Sequence, residues 1–210
     1  MQLISPEHIA TATSPSPWDF GNAVLYELCD KHPLHREIPV VIAKVWLIGR
    51  SYAAAIERRR ANPAKNDDFY IETVAPEIIR SEIDAWIGSV SQQELPDGES
   101  LGLTVVAHSR VTGLFKKISG LDKRSLASKY LHFHRPSHFY IYDSRAVNAM
   151  RDLSPIIGRT RGGGDMGDNE YRKFAQKCVQ LQTFVIREFG IALSPRQIDK
   201  LLLAIHEIRI

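Results

Sequence analysis

Apolar side chains recur at intervals of three and four residues along most of the chain, and this spacing constrains the fold more than any other feature of the sequence. Such a spacing places apolar residues on one face of an α-helix. The strongest example lies within residues 38–61, whose apolar stripe is formed by Val41, Val45, Ile48, Tyr52 and Ile56. Strand-like alternation is limited to residues 139–142, a segment too short to nucleate a sheet. The sequence therefore predicts an all-α fold.

Residues 17–210 are predicted to form a single all-α domain, built either around one core or as two lobes. A chain of 210 residues with 44% hydrophobic side chains is large enough for a proper core. The turn Leu95-Pro-Asp-Gly-Glu indicates a lobe boundary near residues 95–99, because proline presets one backbone dihedral and glycine supplies a positive one. Residues 1–16, rich in Ser, Thr and Pro, are expected to form an irregular N-terminal arm.

Capping and breaking residues predict where the other helices begin and end. A helix over residues 18–31 ends before Pro33, since proline disfavours helix in the residue that precedes it. The last helix starts at Ser194, which Gln197 complements in a capping box. The remaining helices are predicted over residues 67–86 with an interruption at Pro76, and over 101–118, 122–133, 143–153 and 168–189.

Cys29 and Cys178 lie far apart within apolar helical patterns, which is typical of buried free thiols rather than of a disulfide framework. The N-terminus shows no basic segment followed by an apolar run, and no stretch approaches 18 uninterrupted apolar residues. We therefore expect a cytoplasmic protein with no membrane segment.

Positive charge is concentrated in the middle of the chain. Residues 110–161 contain eleven Lys or Arg against three acidic residues, an excess of +8 that leaves the rest of the chain at −5. This pattern is typical of a surface that binds a polyanion such as DNA. A solvated helix surface is the alternative interpretation. A protein partner and the oligomeric state are left open by the sequence.

A lysine and an aspartate are placed by two predicted helices on either side of an aromatic, histidine-rich connection. Lys129 lies on the helix over 122–133, and Asp143 begins the helix over 143–153. A carboxylate can activate a nucleophile and an amine can be one, so the pair is a candidate catalytic site. The alternatives are an Asp143 that only caps its helix and a Lys129 that lies on the surface.

The segment that contains this pair resembles the helix-hairpin-helix DNA glycosylases, in particular their 8-oxoguanine glycosylase-like branch. The resemblance is carried by Ile118-Ser-Gly-Leu-Asp-Lys-Arg-Ser-Leu-Ala and, further on, by Ile141-Tyr-Asp-Ser-Arg-Ala-Val. In that family a glycine-containing hairpin precedes a helix, and a later helix begins with the catalytic aspartate. Asp143 matches that aspartate, and Ala127 precedes it by the family's spacing.

The chain departs from the family pattern within the hairpin. Ser119 replaces a proline, Asp122 replaces the second glycine, and one extra residue precedes Ala127. The position of the family's Schiff-base lysine falls on Ser125 when counted back from Asp143. It falls on Arg124 when counted forward from Gly120. Lys129 lies one helical turn beyond Ser125 on the same face, so the resemblance implies cleavage of a glycosidic bond more than lyase chemistry.

The resemblance implies an enzyme that flips a modified base out of DNA, in repair or in defence against foreign DNA. Asp143 would activate water or stabilise the oxocarbenium-like charge, and Lys129 would attack the anomeric carbon or bind the adjacent phosphate. The residues implied to stack on the base are Phe139, Tyr140 and Tyr142, and packing in the core is the alternative interpretation of these aromatic residues. Those implied to bind phosphates are Lys123, Arg124, Arg135, Arg145, Arg159 and Arg161. The alternative is a non-catalytic DNA-binding or protein-interaction module of the same fold.

No cofactor or metal is predicted. His132, His134 and His138 lie close together in sequence, but they lack a nearby cysteine or a regularly spaced acidic ligand. We therefore interpret them as loop or core histidines. The glycine-rich loop that carries Arg159 and Arg161 lacks the lysine and the spacing of a phosphate-binding loop, so a plain mobile loop is its alternative.

Overall fold

The structure, a computed structural model, describes residues 3–58, 68–90, 100–158, 160 and 167–207. These residues form ten α-helices and a short π-helix (Phe69–Val74), with no strand among them, so the predicted all-α fold is confirmed. The α-helices are α1 (Pro6–Thr13), α2 (Asp19–Lys31), α3 (Ile38–Ser51), α4 (Ala75–Ile79), α5 (Ile83–Gly88), α6 (Ser100–Ser119), α7 (Arg124–His134), α8 (Ser144–Asp152), α9 (Asn169–Phe189) and α10 (Pro195–Glu207).

Helix α7 is the central helix, packed by α2, α3 and α6. Every residue from position 126 to position 134 is buried, including Ser128, Lys129 and His132. Because a helix surrounded on all sides has no face that reaches water, its polar side chains must find partners inside the protein. The partners of Lys129 define the site described below.

The N-terminal arm contains a helix, and the prediction that residues 1–16 are irregular is wrong for residues 6–13. Ser5 accepts from the backbone N–H of His8, and the His8 ring accepts from the backbone N–H of Ser5. This capping box starts α1, which buries Ile9 and Ala12 and packs against α10 at the other end of the chain. Ser5-Pro6 is the same helix-start signal as Ser194-Pro195, at which the last helix is predicted to begin.

The boundary expected near residues 95–99 lies outside the described residues. The helices before this boundary pack against the helices after it. Helices α4 and α5 pack against α6, and helices α2 and α3 pack against α7, so the two parts share a core. Helix α10 contacts α1, α8 and α9.

Helix α3 ends at Ser51, so the helix predicted through residue 61 is wrong for residues 52–58 despite the alanines there. Ala53 has a positive φ of 50°, and the chain turns back across the helix end. A Cβ on Gly49 would lie 3.0 Å from the Cα of Ala55, so the glycine permits this close approach. The turn places Tyr52 and the alanines that follow it beside α7. Tertiary packing here overrides helix propensity.

Both cysteines are free and buried, as predicted. None of the helices within the described ranges has the length and apolar character needed to cross a membrane.

Candidate active site

A cleft of about 700 Å³ opens where the end of α3, the hairpin between α6 and α7, and the start of α8 meet. The lining residues are Tyr52, Ala53, Ala54, Ala55, Arg58, Leu121, Asp122, Lys123, Ser125, Leu126, Lys129, Asp143, Ser144 and Arg145. The volume lies within the range of about 300–1,000 Å³ that is typical of ligand-binding sites.

Lys129 reaches the cleft from the central helix with only 2% of its side chain exposed. Its ammonium donates to Oγ of Ser125, one turn earlier on α7, at 2.9 Å. It also donates to Oδ2 of Asp143 at 3.4 Å and lies 5.7 Å from the ring centroid of Tyr52. The surface position considered for Lys129 from the sequence is therefore wrong.

Asp143 performs two tasks with its two carboxylate oxygens. Oδ1 accepts from the backbone N–H of Ala146 at 3.0 Å and caps α8, while Oδ2 faces Lys129. Its side chain is 18% exposed, so the carboxylate remains in contact with the cleft. Capping and a role at the cleft are therefore compatible in this structure.

Two polar residues of α7 hold the segment that delivers Asp143. Ser128 Oγ accepts from the backbone N–H of Tyr142 at 3.0 Å and lies 3.3 Å from the Tyr142 carbonyl. One turn later, His132 Nδ1 donates to the carbonyl of Phe139 at 2.8 Å, which leaves Nε2 to accept from the Tyr26 hydroxyl at 2.7 Å. Sequence reasoning missed Ser128, and its i, i+4 spacing to His132 is the signal that points to it.

The charges of the cleft act on one another. Burial lowers the pKa of the Lys129 amine, and the negative charges of Asp143 and Asp199 oppose that effect. Burial also raises the pKa of Asp199, on α10, to about 6, against the lowering effect of Arg196. A buried lysine whose pKa is lowered by burial and raised by two carboxylates is the kind of perturbed group found at functional sites.

The predicted phosphate-binding residues fall into three groups. Lys123 and Arg145 line the cleft, as does Arg58, which the sequence did not single out. Arg124 instead pairs with Asp168 at 2.5 Å and lies over the Tyr142 ring, a structural position behind the cleft wall. Arg135 ends α7, away from the lining residues. Arg159 and Arg161 lie outside the described residues.

The predicted stacking residues do not line the cleft. Phe139 and Tyr140 are 0% and 1% exposed in the core, where the Tyr140 hydroxyl donates to Gln182. Tyr142 packs edge-on against Phe174. The assignments of Phe139 and Tyr140 are corrected to core packing, because the segment that carries them is hydrogen-bonded to α7. Tyr142 is half-buried and packs against the core outside the cleft lining. The aromatic residue found in the lining is Tyr52, which the sequence placed on the apolar stripe of its helix.

The histidines belong to the core. His132, His134 and His138 are all buried, and burial lowers the pKa of His132 to about 4. Within the described part of the chain, no group of three or more His, Cys, Asp or Glu side chains is arranged so that it could hold a metal ion.

The chain matches no protein-family model, no curated protein and no solved structure with which it was compared. Any statement about its function therefore depends on the geometry of the cleft and on the chemistry of the groups in it.

Proposed function

We propose that this cleft is the active site of a DNA glycosylase-like protein that extrudes a modified base and cleaves its N-glycosidic bond. The observation that carries the proposal is the contact of 3.4 Å between the Lys129 ammonium and Oδ2 of Asp143, at the wall of a cleft of about 700 Å³. A carboxylate and an amine from two different helices meet there with an open volume beside them.

The chemistry follows from the charge that develops at the sugar. As the bond to the base breaks, its electron pair leaves with the base and the anomeric carbon becomes oxocarbenium-like. Asp143 stabilises that positive charge or takes a proton from the water that adds to the carbon. Lys129 has two candidate roles, as an amine that attacks the carbon or as an ammonium that binds the adjacent phosphate.

Charge and shape at the cleft support a nucleic-acid substrate. Arg58, Lys123 and Arg145 line it and place three positive charges beside a bound phosphate backbone, with the Lys123 ammonium held by the carbonyls of Ala55 and Arg58. Tyr52 offers an aromatic face of the kind on which bases stack. A DNA substrate and two free thiols in the core fit a cytoplasmic protein.

The test is to incubate the protein with duplexes that each carry one lesion or modified base, and to measure abasic sites. Asp143→Asn should lose the activity, because the amide keeps the shape without the charge. Asp122→Asn is the matched control, since this carboxylate also lines the cleft but pairs with Lys116 at 3.2 Å. Activity of Asp143→Asn equal to that of the unmodified protein would refute the proposed role.

A DNA-binding module without catalysis is the second candidate, favoured by one observation. Lys129, Ser125 and Asp143 satisfy one another, and Asp143 also caps α8, so the cluster is complete as a structural unit. The module hypothesis expects salt-dependent DNA binding and no abasic sites from any duplex in the panel.

Borohydride trapping tests whether Lys129 is the attacking amine. A trapped protein–DNA adduct that persists in Lys129→Ala excludes Lys129 from that role.

A further inference from the structure

A buried carboxylate outside the cleft lining interacts with the charged groups of the cleft. Asp199, on α10, is 3% exposed, and its Oδ2 accepts from Nη1 of Arg196, one turn earlier, at 2.5 Å. Its Oδ1 is buried and has no hydrogen-bond partner among the described residues. Burying a carboxylate with one oxygen unsatisfied costs free energy that an apolar side chain at this position would not cost. Packing alone therefore does not account for an aspartate here.

Asp199 is connected to the cleft through Arg196 and Tyr52. The guanidinium carbon of Arg196 lies 5.8 Å from the ring centroid of Tyr52, and Nζ of Lys129 lies 5.7 Å from the same centroid. Helix α10 also packs against α8, which begins at Asp143. The Arg196–Asp199 pair and the Lys129–Asp143 pair thus share one aromatic ring.

We propose that Asp199 is a positioning residue of the cleft, whose carboxylate, held by Arg196, keeps the Lys129 ammonium balanced by negative charge when Asp143 turns to the substrate. The consequence of this inference for catalysis rests on the proposed function, whereas the effect of Asp199 on Lys129 does not.

The need for a second carboxylate follows from the demands on Asp143. In the free protein, Asp143 neutralises Lys129 and caps α8. When positive charge develops at the sugar, the same carboxylate has to serve that charge as well. An ammonium that is 2% exposed has little water to replace a lost partner. Asp199, although paired with Arg196 through one oxygen, contributes negative charge that favours the Lys129 ammonium from outside the cleft lining.

Electrostatic interactions among these groups support the assignment. Asp199 raises the pKa of Lys129 against the lowering effect of burial, and Lys129 and Arg145 in turn lower the pKa of Asp199. The titratable and charged groups that interact with this cluster are Asp19 and Tyr26 on α2, Tyr52 after α3, Lys129 and His132 on α7, Asp143 and Arg145 at the start of α8, Cys178 on α9, and Arg196 on α10.

The test is an NMR titration of the full chain without DNA, labelled with ¹³C at the lysine Cε and the aspartate Cγ. Lys129→Arg assigns the Lys129 signal. Asp199→Asn should lower the pKa of Lys129 by about one pH unit, because it removes a negative charge that acts through a partly screened interior. Asp199→Glu should restore most of the difference. Lys44 is the internal control, a second buried lysine that contacts the carbonyl of Leu34 and should not change.

An unchanged pKa of Lys129 in a folded Asp199→Asn protein would overturn the inference. If that variant does not fold, the same titration of the unmodified protein decides the question. The inference requires the Lys129 signal to show an inflection at the pH at which the Asp199 carboxyl carbon titrates. A Lys129 signal that ignores the Asp199 titration also overturns it.

Activity provides a second readout that separates this inference from the proposed function. If a lesion duplex is cleaved, Asp199→Asn should shift the pH profile of cleavage, and Asp199→Glu should move it back. An equal loss at every pH would show a merely structural role and contradict the inference. If no duplex is cleaved, the titration without DNA still supports or overturns it, because that measurement involves no catalysis.

Discussion

The ammonium of Lys129 lies 3.4 Å from Oδ2 of Asp143, although fourteen positions separate the two residues in the sequence. The other carboxylate oxygen, Oδ1, accepts from the N–H of Ala146. Because each oxygen has its own partner, the cap and the charge of Asp143 are separable by mutation.

Replacing Asp143 by Asn and by Ala should separate the two tasks. Asparagine is as good a helix cap as aspartate, so Asp143→Asn should keep the α8 cap and lose only the charge next to Lys129. Asp143→Ala should lose the cap as well and be less stable than Asp143→Asn by about 1 kcal/mol. Urea unfolding of the two variants measures the difference. Equal stabilities would show that the Ala146 hydrogen bond contributes nothing.

Lys129→Met should destabilise the protein by about 1–3 kcal/mol. This is less than the full cost of breaking a buried ion pair, because Asp143 is 18% exposed to water and still accepts from the N–H of Ala146. Combined with Asp143→Asn in a double-mutant cycle, it should show a coupling energy of about 1 kcal/mol or more. Denaturant unfolding of the four proteins gives this value. A coupling near zero would mean that the two side chains do not interact in solution.

Arg145 and Arg124 should respond in opposite ways to truncation. Arg145 is exposed at the cleft, so Arg145→Ala should weaken DNA binding and reduce the slope of log K against log salt by about 1, with little change in stability. Arg124 pairs with Asp168, whose side chain is 9% exposed. Arg124→Ala should therefore destabilise the protein by about 1–3 kcal/mol and leave the slope unchanged. The reverse pattern would move the DNA-binding surface to the other side of the hairpin.

Tyr52→Leu and Tyr52→Phe test the aromatic wall of the cleft. If the ring stacks on an extruded base, Tyr52→Leu should weaken binding of a lesion duplex by about 1–3 kcal/mol. Tyr52→Phe keeps the ring and loses only the hydroxyl that donates to Asn22 at 2.8 Å, so it should lower stability by about 1 kcal/mol and keep binding. Fluorescence anisotropy with labelled duplexes measures both. Equal binding by the two variants would exclude stacking on Tyr52.

Buried histidines should make the protein sensitive to acid. Burial lowers the pKa of His35, His108 and His132 to about 4 in the folded protein, against about 6.5 in the unfolded chain. Between pH 6.5 and pH 4 the unfolded state therefore binds more protons, and stability present above pH 6.5 is lost as the pH falls, by up to about 3 kcal/mol for each histidine.

Urea unfolding at pH 7, 6 and 5 measures this loss. His132→Gln should make the loss smaller, and His32→Gln, at an exposed position, is the control. Asp199 acts with the opposite sign, because its raised pKa of about 6 means that stability is gained as the pH falls through 6. A net gain in stability from pH 7 to pH 5 would contradict the burial of the histidines.

Local chemistry in the sequence determined most helices of this protein. Apolar spacing located α2, α6, α7 and α9, and the capping residues Asp143 and Ser194 marked the starts of α8 and α10. Such signals are readable because a cap bonds to a backbone N–H two or three residues away. The sequence also indicated Lys129 and Asp143 as a candidate site, because an amine and a carboxylate can carry out chemistry and one connection joins their two helices.

Only the tertiary structure decided what surrounds that pair. It ended α3 early and brought Tyr52 to the cleft, and it bonded the segment over 139–142 onto α7 and so buried Phe139 and Tyr140. It also brought Arg196, the partner of Asp199, to the Tyr52 ring that Lys129 approaches. Each of these contacts joins residues that are distant in sequence, and each depends on close packing and on the pairing of buried polar groups. Periodicity shows which face of a helix is buried, but it carries no information about which other helix will cover that face.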